Sequence, residues 1–184
     1  DISDDHRGTQ ARAAALQGSG RFLHRCIHYV RRRGDHRGLR EGLLARAPKE
    51  YDYLLTAEAK SIPLIHEMAR QSGASEYFVA RKGMKVYLTN PIHVQVRSIT
   101  TQHDQDLYLS GEDAAKMKGK KVLIVDDVIS TGESLHALEE LVHQAGGEVA
   151  GRMAVLAEGD AQERSDIVYL EKLPTFNADG TVKG

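Results

Sequence analysis

The chain has little cysteine and no tryptophan: one of its 184 residues is Cys, and three are Phe. A single cysteine excludes a disulfide framework and a zinc site built from cysteines. No apolar run approaches the roughly 18 residues that a membrane helix needs, and the polar residues 1–8 do not resemble a signal peptide. The formal net charge of −1 argues against a dedicated nucleic-acid binder. We therefore expect a cytoplasmic globular protein, without a membrane or nucleic-acid partner.

Charge is distributed unevenly along the chain. Residues 1–50 carry ten Arg, one Lys and six acidic residues, a net charge of +5, whereas residues 51–184 carry −6. Apolar residues of the first segment follow neither a helical nor a strand period. Three interpretations stay open for this Arg- and His-rich segment: a basic arm for phosphate or nucleic acid, a solvated and poorly ordered stretch, or the product of a frameshifted reading. We assign the functional domain to residues 51–184.

From residue 51 onward the apolar pattern becomes regular. It predicts strands at 53–56, 77–80, 121–125 and 149–157, and helices at 62–72, 110–118 and 134–145. Residues 82–110 have a mixed pattern that predicts a hairpin or a mobile flap. Strands that alternate with helices at these lengths predict an α/β fold with a central, mostly parallel sheet flanked by helices.

Residues 122–134 carry the strongest functional signal. An apolar strand is followed by Asp126 and Asp127, then by a loop of small hydroxylic residues with Gly132, and then by a helix. The N–H groups and the dipole at a helix start favour an anion, and ligands of parallel sheets bind beyond the carboxyl ends of the strands. This order predicts a phosphate in the loop, with the two carboxylates beside a diol such as ribose.

Two common nucleotide-binding motifs are missing. The sequence has no Gly-x-x-x-x-Gly-Lys-Ser/Thr and no Gly-x-Gly-x-x-Gly, which excludes the P-loop and the usual dinucleotide fingerprint. Residues 122–134 instead resemble the phosphoribosyl-diphosphate (PRPP) signature of the type I phosphoribosyltransferases. The resemblance implies that fold, with a flexible flap and a small hood. It also implies that Asp126 and Asp127 are catalytic and contact the ribose, and that the 5′-phosphate is bound by Ser130, Thr131, Gly132, Glu133 and Ser134.

The resemblance extends to other segments of the chain, over roughly residues 51–176. Residues 56–61 resemble the pyrophosphate loop of the adenine and xanthine branch, and residues 79–85 resemble the basic stretch of purine-specific members. This implies pyrophosphate binding by Ala59, Lys60, Arg81, Lys82 and Lys85. Residues 155–160 occupy the strand end where purine-specific members carry a Glu near the base, which implies base binding by Glu158. Lys60-Ser61 stands where the family often has Arg-Gly, so a point charge replaces a bidentate clamp. Residues 85–108 correspond to the flap.

The function implied by the resemblance is purine salvage. A purine phosphoribosyltransferase, with adenine as the first choice of base, would transfer the phosphoribosyl group of PRPP to the base and release pyrophosphate. Mg²⁺ would arrive on PRPP without a direct protein ligand, and we expect a homodimer. The alternatives are an orotate phosphoribosyltransferase, a non-catalytic regulatory protein that senses PRPP, and a polypeptide made inactive by its first 50 residues.

Overall fold

The computed structural model describes residues 42–96 and 105–174. Its elements are β1 (Tyr53–Ala57), α1 (Ile62–Ser72), β2 (Phe78–Ala80), β3 (Ile92–Val96), β4 (Gln105–Leu109), α2 (Gly111–Met117), β5 (Lys121–Ile129), α3 (Glu133–Gln144), β6 (Glu148–Glu158), a 3₁₀ helix (Gly159–Glu163) and β7 (Val168–Leu173). Residues 42–46 are also helical. The predictions for the rest of the Arg-rich segment, for the middle of the flap and for the final residues lie outside these ranges.

Five strands form one sheet in the order β2-β1-β5-β6-β7, and every neighbouring pair is parallel. The central strand β5 begins with an apolar run whose residues 122–125 are all fully buried, as expected for a strand covered on both faces. This confirms the predicted α/β class and the mostly parallel sheet.

The two faces of the sheet are covered by two hydrophobic clusters. Consecutive strand residues alternate between them: Val122 and Ile124 belong to one cluster, and Leu123 and Val125 belong to the other. Helix α3 contributes its buried stripe to the first cluster, and α1 contributes to the second. Both helices have the bounds that their apolar period predicts, to within one residue.

Strand β5 is longer than its apolar run. It continues to Ile129, and the predicted end at Val125 is wrong, because Asp126, Val128 and Ile129 keep their pairing with β6. Backbone hydrogen bonds hold these residues in the sheet regardless of side-chain polarity. The acidic pair therefore lies inside the last part of the strand rather than after it.

Strands β3 and β4 form a separate antiparallel hairpin, which confirms the hairpin expected in residues 82–110. Arg81 and Tyr108 exchange two backbone hydrogen bonds of 2.8 Å, and this bridge ties the hairpin to the end of β2. Leu107 and Leu109 are buried against the α3 side of the sheet. The base of the hairpin is thus fixed beside the sheet edge at which β2 ends.

Within the described residues, no helix combines the length and the apolar character needed to cross a bilayer. The core includes a side chain from the first 50 residues, because Leu43 is fully buried with Leu54 and Ile65 in the cluster on the α1 side.

Truncating this side chain tests its place in the core. Leu43→Ala should lower the free energy of unfolding by about 3 kcal/mol, since a buried leucine leaves a cavity when it is cut back. Val86 is fully exposed, and the control variant Val86→Ala should change the free energy of unfolding by less than about 0.5 kcal/mol. Urea unfolding of the wild type and of the two variants measures these changes. Equal stability of the two variants would contradict the packing of Leu43.

Candidate active site

Parallel pairing brings the carboxyl ends of β1, β2, β5 and β6 to one edge of the sheet. The residues predicted to bind ligand lie on these ends, in the segments after them, or, for Glu133 and Ser134, in the first turn of α3. Ala59 and Lys60 lie in the exposed turn after β1, Arg81 follows β2, Asp126 and Asp127 lie near the end of β5, Ser130, Thr131 and Gly132 connect β5 to α3, and Glu158 ends β6.

Ser61 joins the turn after β1 to the acidic pair of β5. Its hydroxyl donates to Asp126 Oδ1 at 2.7 Å and lies 3.3 Å from Asp127 Oδ1. Ser61 Oγ also accepts a hydrogen bond from the backbone N–H of Asp127, at 3.1 Å. Ser61 is almost completely buried. The turn that resembles a pyrophosphate loop and the predicted sugar-binding carboxylates are therefore in direct contact.

The two carboxylates of the pair have different surroundings. Burial, and after it the neighbouring Asp127 carboxylate, raise the pKa of Asp126 to about 7. The hydrogen bonds from the Ser61 hydroxyl and the Asp127 N–H lower this pKa, but by less. Asp126 Oδ1 also accepts from the N–H of Asp127 at 2.8 Å. Near neutral pH, Asp126 is therefore divided between its protonated and ionised forms.

The loop after β5 has the geometry of an anion site. Gly132 adopts a left-handed φ of +84° and starts α3, whose first bond runs from the His136 N–H to the Gly132 oxygen at 2.8 Å. The Thr131 hydroxyl accepts from the Glu133 N–H at 3.5 Å. The N-terminus of this 12-residue helix therefore faces the same edge as the acidic pair.

Arg164 brings a cation to the start of α3. A side chain added at Gly132 would place its Cβ 2.9 Å from Arg164 Nη1. The other two guanidinium nitrogens donate to the Asp166 carboxylate at 2.9 and 2.7 Å, which lowers the pKa of Asp166. The N-terminus of a helix is the positive end of its dipole. The positive charge of Arg164 beside it therefore favours an anion between the guanidinium and the start of α3.

The basic stretch after β2 is arranged around Glu58. Its carboxylate accepts from the Lys82 N–H at 2.7 Å and from Arg81 at 3.3 Å, and it lies 3.7 Å from Lys85 Nζ. Burial opposes ionisation of Glu58, but these hydrogen bonds and positive charges outweigh it and lower its pKa. In the described chain, Lys60 has no ion-pair partner. The cluster keeps a positive excess that suits a pyrophosphate.

Glu158 lies at the same edge, one residue beyond Ala157, which pairs with Ile129 at the end of β5. It pairs with Leu173 through the backbone of β6 and β7. No hydrogen bond or ion pair joins its side chain to another candidate within residues 42–96 and 105–174. Its place beside the end of β5 is consistent with the predicted contact to a base, which stays a prediction.

Sequence reasoning missed three residues of this edge: Ser61, Glu58 and Arg164. Ser61 had a signal, since it replaces a residue that is often glycine in the family that the sequence resembles. Glu58 lay within the same stretch without an assigned role. Arg164 lies 32 positions beyond Gly132, and nothing in the sequence links the two.

Comparison with known proteins gives a consistent family and fold. Residues 37–179 match the family model described as a phosphoribosyl transferase domain. The chain is 32% identical over 130 residues to a Methanotorris igneus protein named hypoxanthine/guanine phosphoribosyltransferase, covering 68% of this chain and 66% of that protein. A Methanocaldococcus protein (strain FS406-22) of the same name is 30% identical over 115 residues, or 62% of this chain and 55% of the relative. The chain thus spans less than two thirds of either relative.

Among solved structures, the chain is similar to adenine phosphoribosyltransferase from Rhodothermus marinus, with a TM-score of 0.65. The alignment has 23% sequence identity and covers 74% of this chain and 78% of that chain. This likeness shows the fold.

The raised pKa of Asp126 predicts an unusual pH dependence of stability. Because the folded pKa is about 7, the folded protein retains a proton that an ordinary aspartate in the unfolded chain loses near pH 4. Stability should therefore fall as pH rises from about 4 to 7, and Asp126→Asn should remove this loss. We expect the variant to gain a few kcal/mol over the wild type between about pH 5 and pH 8.

Urea unfolding at the two pH values measures this gain. Asp166→Asn serves as the control, because the pKa of Asp166 is lowered and its titration affects stability only below the ordinary aspartate pKa of about 4. Between about pH 5 and pH 8 its stability profile should therefore run parallel to that of the wild type. A pH profile of Asp126→Asn parallel to that of the wild type would contradict the assigned environment.

Proposed function

The chain belongs to the phosphoribosyl transferase domain family, and from this membership we propose that it is a purine phosphoribosyltransferase. It transfers the phosphoribosyl group of PRPP to a ring nitrogen of a purine base and releases pyrophosphate. The proposal rests on one observation: an acidic pair, a helix N-terminus and a basic cluster lie together at one edge of the sheet. These three features match the sugar, the 5′-phosphate and the pyrophosphate of one ligand.

Each part of this edge has a role in the proposed reaction. Asp126 and Asp127 hold the ribose and place negative charge near the cation that develops at its C1 carbon. Ser130, Thr131, Gly132, Glu133 and Ser134 enclose the 5′-phosphate with backbone N–H groups and hydroxyls. Arg164 adds a positive charge beside this loop.

The leaving pyrophosphate is bound on the other side of the acidic pair. Arg81, Lys82 and Lys85 supply its positive environment, and Glu58 fixes their arrangement. Ala59 and Lys60 complete this subsite in the exposed turn.

Mg²⁺ fits this site as a cation that arrives with PRPP. Mg²⁺ commonly keeps its waters and binds substrate phosphates rather than a cage of protein ligands. When bound, it would neutralise the departing pyrophosphate. Homodimer formation and a cytoplasmic location remain expectations.

Two purine types are candidates for the acceptor. The resemblance of residues 56–61 and 79–85 to the adenine and xanthine branch supports adenine. The names of the Methanotorris and Methanocaldococcus relatives support hypoxanthine and guanine as the second candidate. Glu158 is the residue we assign to the base in either case.

The reaction is tested by pyrophosphate release in the presence of PRPP and Mg²⁺. Adenine, hypoxanthine, guanine, xanthine and orotate are compared through kcat/KM, and we expect turnover with a purine, with adenine as the best acceptor. Turnover with orotate alone would support the alternative enzyme. PRPP binding without turnover of any base would support a regulatory protein instead.

Gly132→Ala tests the phosphate loop. A φ of +84° strains any residue with a side chain, and the added Cβ would meet Arg164 Nη1 at 2.9 Å. We expect about a tenfold weaker binding of PRPP, measured by calorimetry. Gly73 has a φ of +76° at the end of α1 with open space around it. Gly73→Ala should therefore have a similar stability cost but unchanged PRPP affinity, and equal loss of affinity in both variants would exclude the loop.

A further inference from the structure

We propose that Ser61 is a positioning residue that gives the two aspartates different tasks: it fixes Asp126 by a short hydrogen bond to its Oδ1 and makes the Asp127 carboxylate the principal contact to the sugar. The inference deepens the proposed function and rests on it, because the sugar is that of PRPP. The family resemblance implies ribose contacts for both acids, and the geometry of this chain separates them.

The position of Ser61 is unusual for its surroundings. It precedes the first residue of α1, where a serine commonly caps the helix with its hydroxyl. Here the backbone is helical, with φ of −79° and ψ of −8°, and the side chain makes no capping bond. The hydroxyl points to β5 instead. With 1% of the residue exposed, water does not replace its partners.

The hydroxyl of Ser61 has one proton and two carboxylates within reach. The short contact of 2.7 Å goes to Asp126, and the contact to Asp127 is 3.3 Å. A single proton serves the nearer acceptor. Asp126 Oδ1 also accepts the Asp127 N–H at 2.8 Å, so that this oxygen is committed to bonds within the protein.

One hydroxyl that touches both acids also fixes their relative orientation. Successive side chains of a strand point to opposite faces of the sheet, and a pair that serves one ligand needs an additional constraint. The Asp127 N–H is shared between Asp126 Oδ1 at 2.8 Å and Ser61 Oγ at 3.1 Å, so that Ser61 also contacts the backbone from which the Asp127 carboxylate projects. Ser61 therefore preorganises Asp127 for a diol, and its loss should affect the sugar and leave the pyrophosphate subsite intact.

The test compares two ligands on two hydroxyl-free variants, Ser61→Ala and Ser61→Gly. Calorimetry with Mg²⁺ measures the Kd of PRPP, which contains the sugar, and of inorganic pyrophosphate, which does not. We expect both variants to bind PRPP about tenfold more weakly than the wild type and to bind pyrophosphate unchanged. Using two small replacements keeps the test valid if one of them folds poorly.

Ser72→Ala is the matched control. Ser72 lies at the opposite end of α1 from Ser61, and its hydroxyl donates to the Ala69 oxygen at 3.2 Å rather than to the acidic pair. This variant should bind both ligands like the wild type. Asp127→Asn should weaken PRPP binding more than Asp126→Asn does, because the proposal assigns the sugar to Asp127.

The results that would overturn the positioning role differ from the result that would also overturn the proposed function. If the wild type binds PRPP and the Ser61 variants bind it equally well, or lose PRPP and pyrophosphate in parallel, the positioning role is wrong while the proposed function stands. If the wild type binds no PRPP, both the role and the proposed function fail.

Discussion

The candidate site depends on the parallel pairing of β5 with β1 on one side and with β6 on the other. Parallel strands end at the same edge, so that three separate turns converge there although they lie far apart in sequence. Leu54 pairs with Leu123, and this register brings Ser61, four residues beyond the end of β1, against Asp126 and Asp127. An antiparallel neighbour would carry the turn to the opposite edge.

The charges at this edge are arranged as opposed pairs. On the side proposed for pyrophosphate, Glu58 gathers Arg81 and Lys85 and reduces their mutual repulsion. On the side proposed for the 5′-phosphate, Asp166 holds Arg164 against the positive end of α3. Between them lies the acidic pair, in which burial raises the pKa of Asp126. An extended ligand with a phosphate at each end and hydroxyls in the middle is complementary to this order.

Much of the fold could be predicted because it follows from local periodicity. The apolar stripes of α1 and α3 and the continuous apolar run of β5 identify their elements, since each pattern has one favourable way to be buried. The end of β5 was missed because Asp126 and Asp127 mimic the polar end of a strand, whereas their backbones continue the ladder with β6. Strand β7 was missed as well, since Glu171 and Lys172 interrupt its apolar pattern at an exposed edge.

The sequence by itself determined the contiguous part of the site, in which strand, acidic pair, glycine turn and helix follow one another within residues 122–134. Covalent order places these groups together in any fold that keeps the strand and the helix. The tertiary structure alone decided which distant side chains join them: Ser61 at the acids, Arg164 at the helix start and Glu58 among the cations. Such partners are chosen by strand order and packing, which no local pattern encodes.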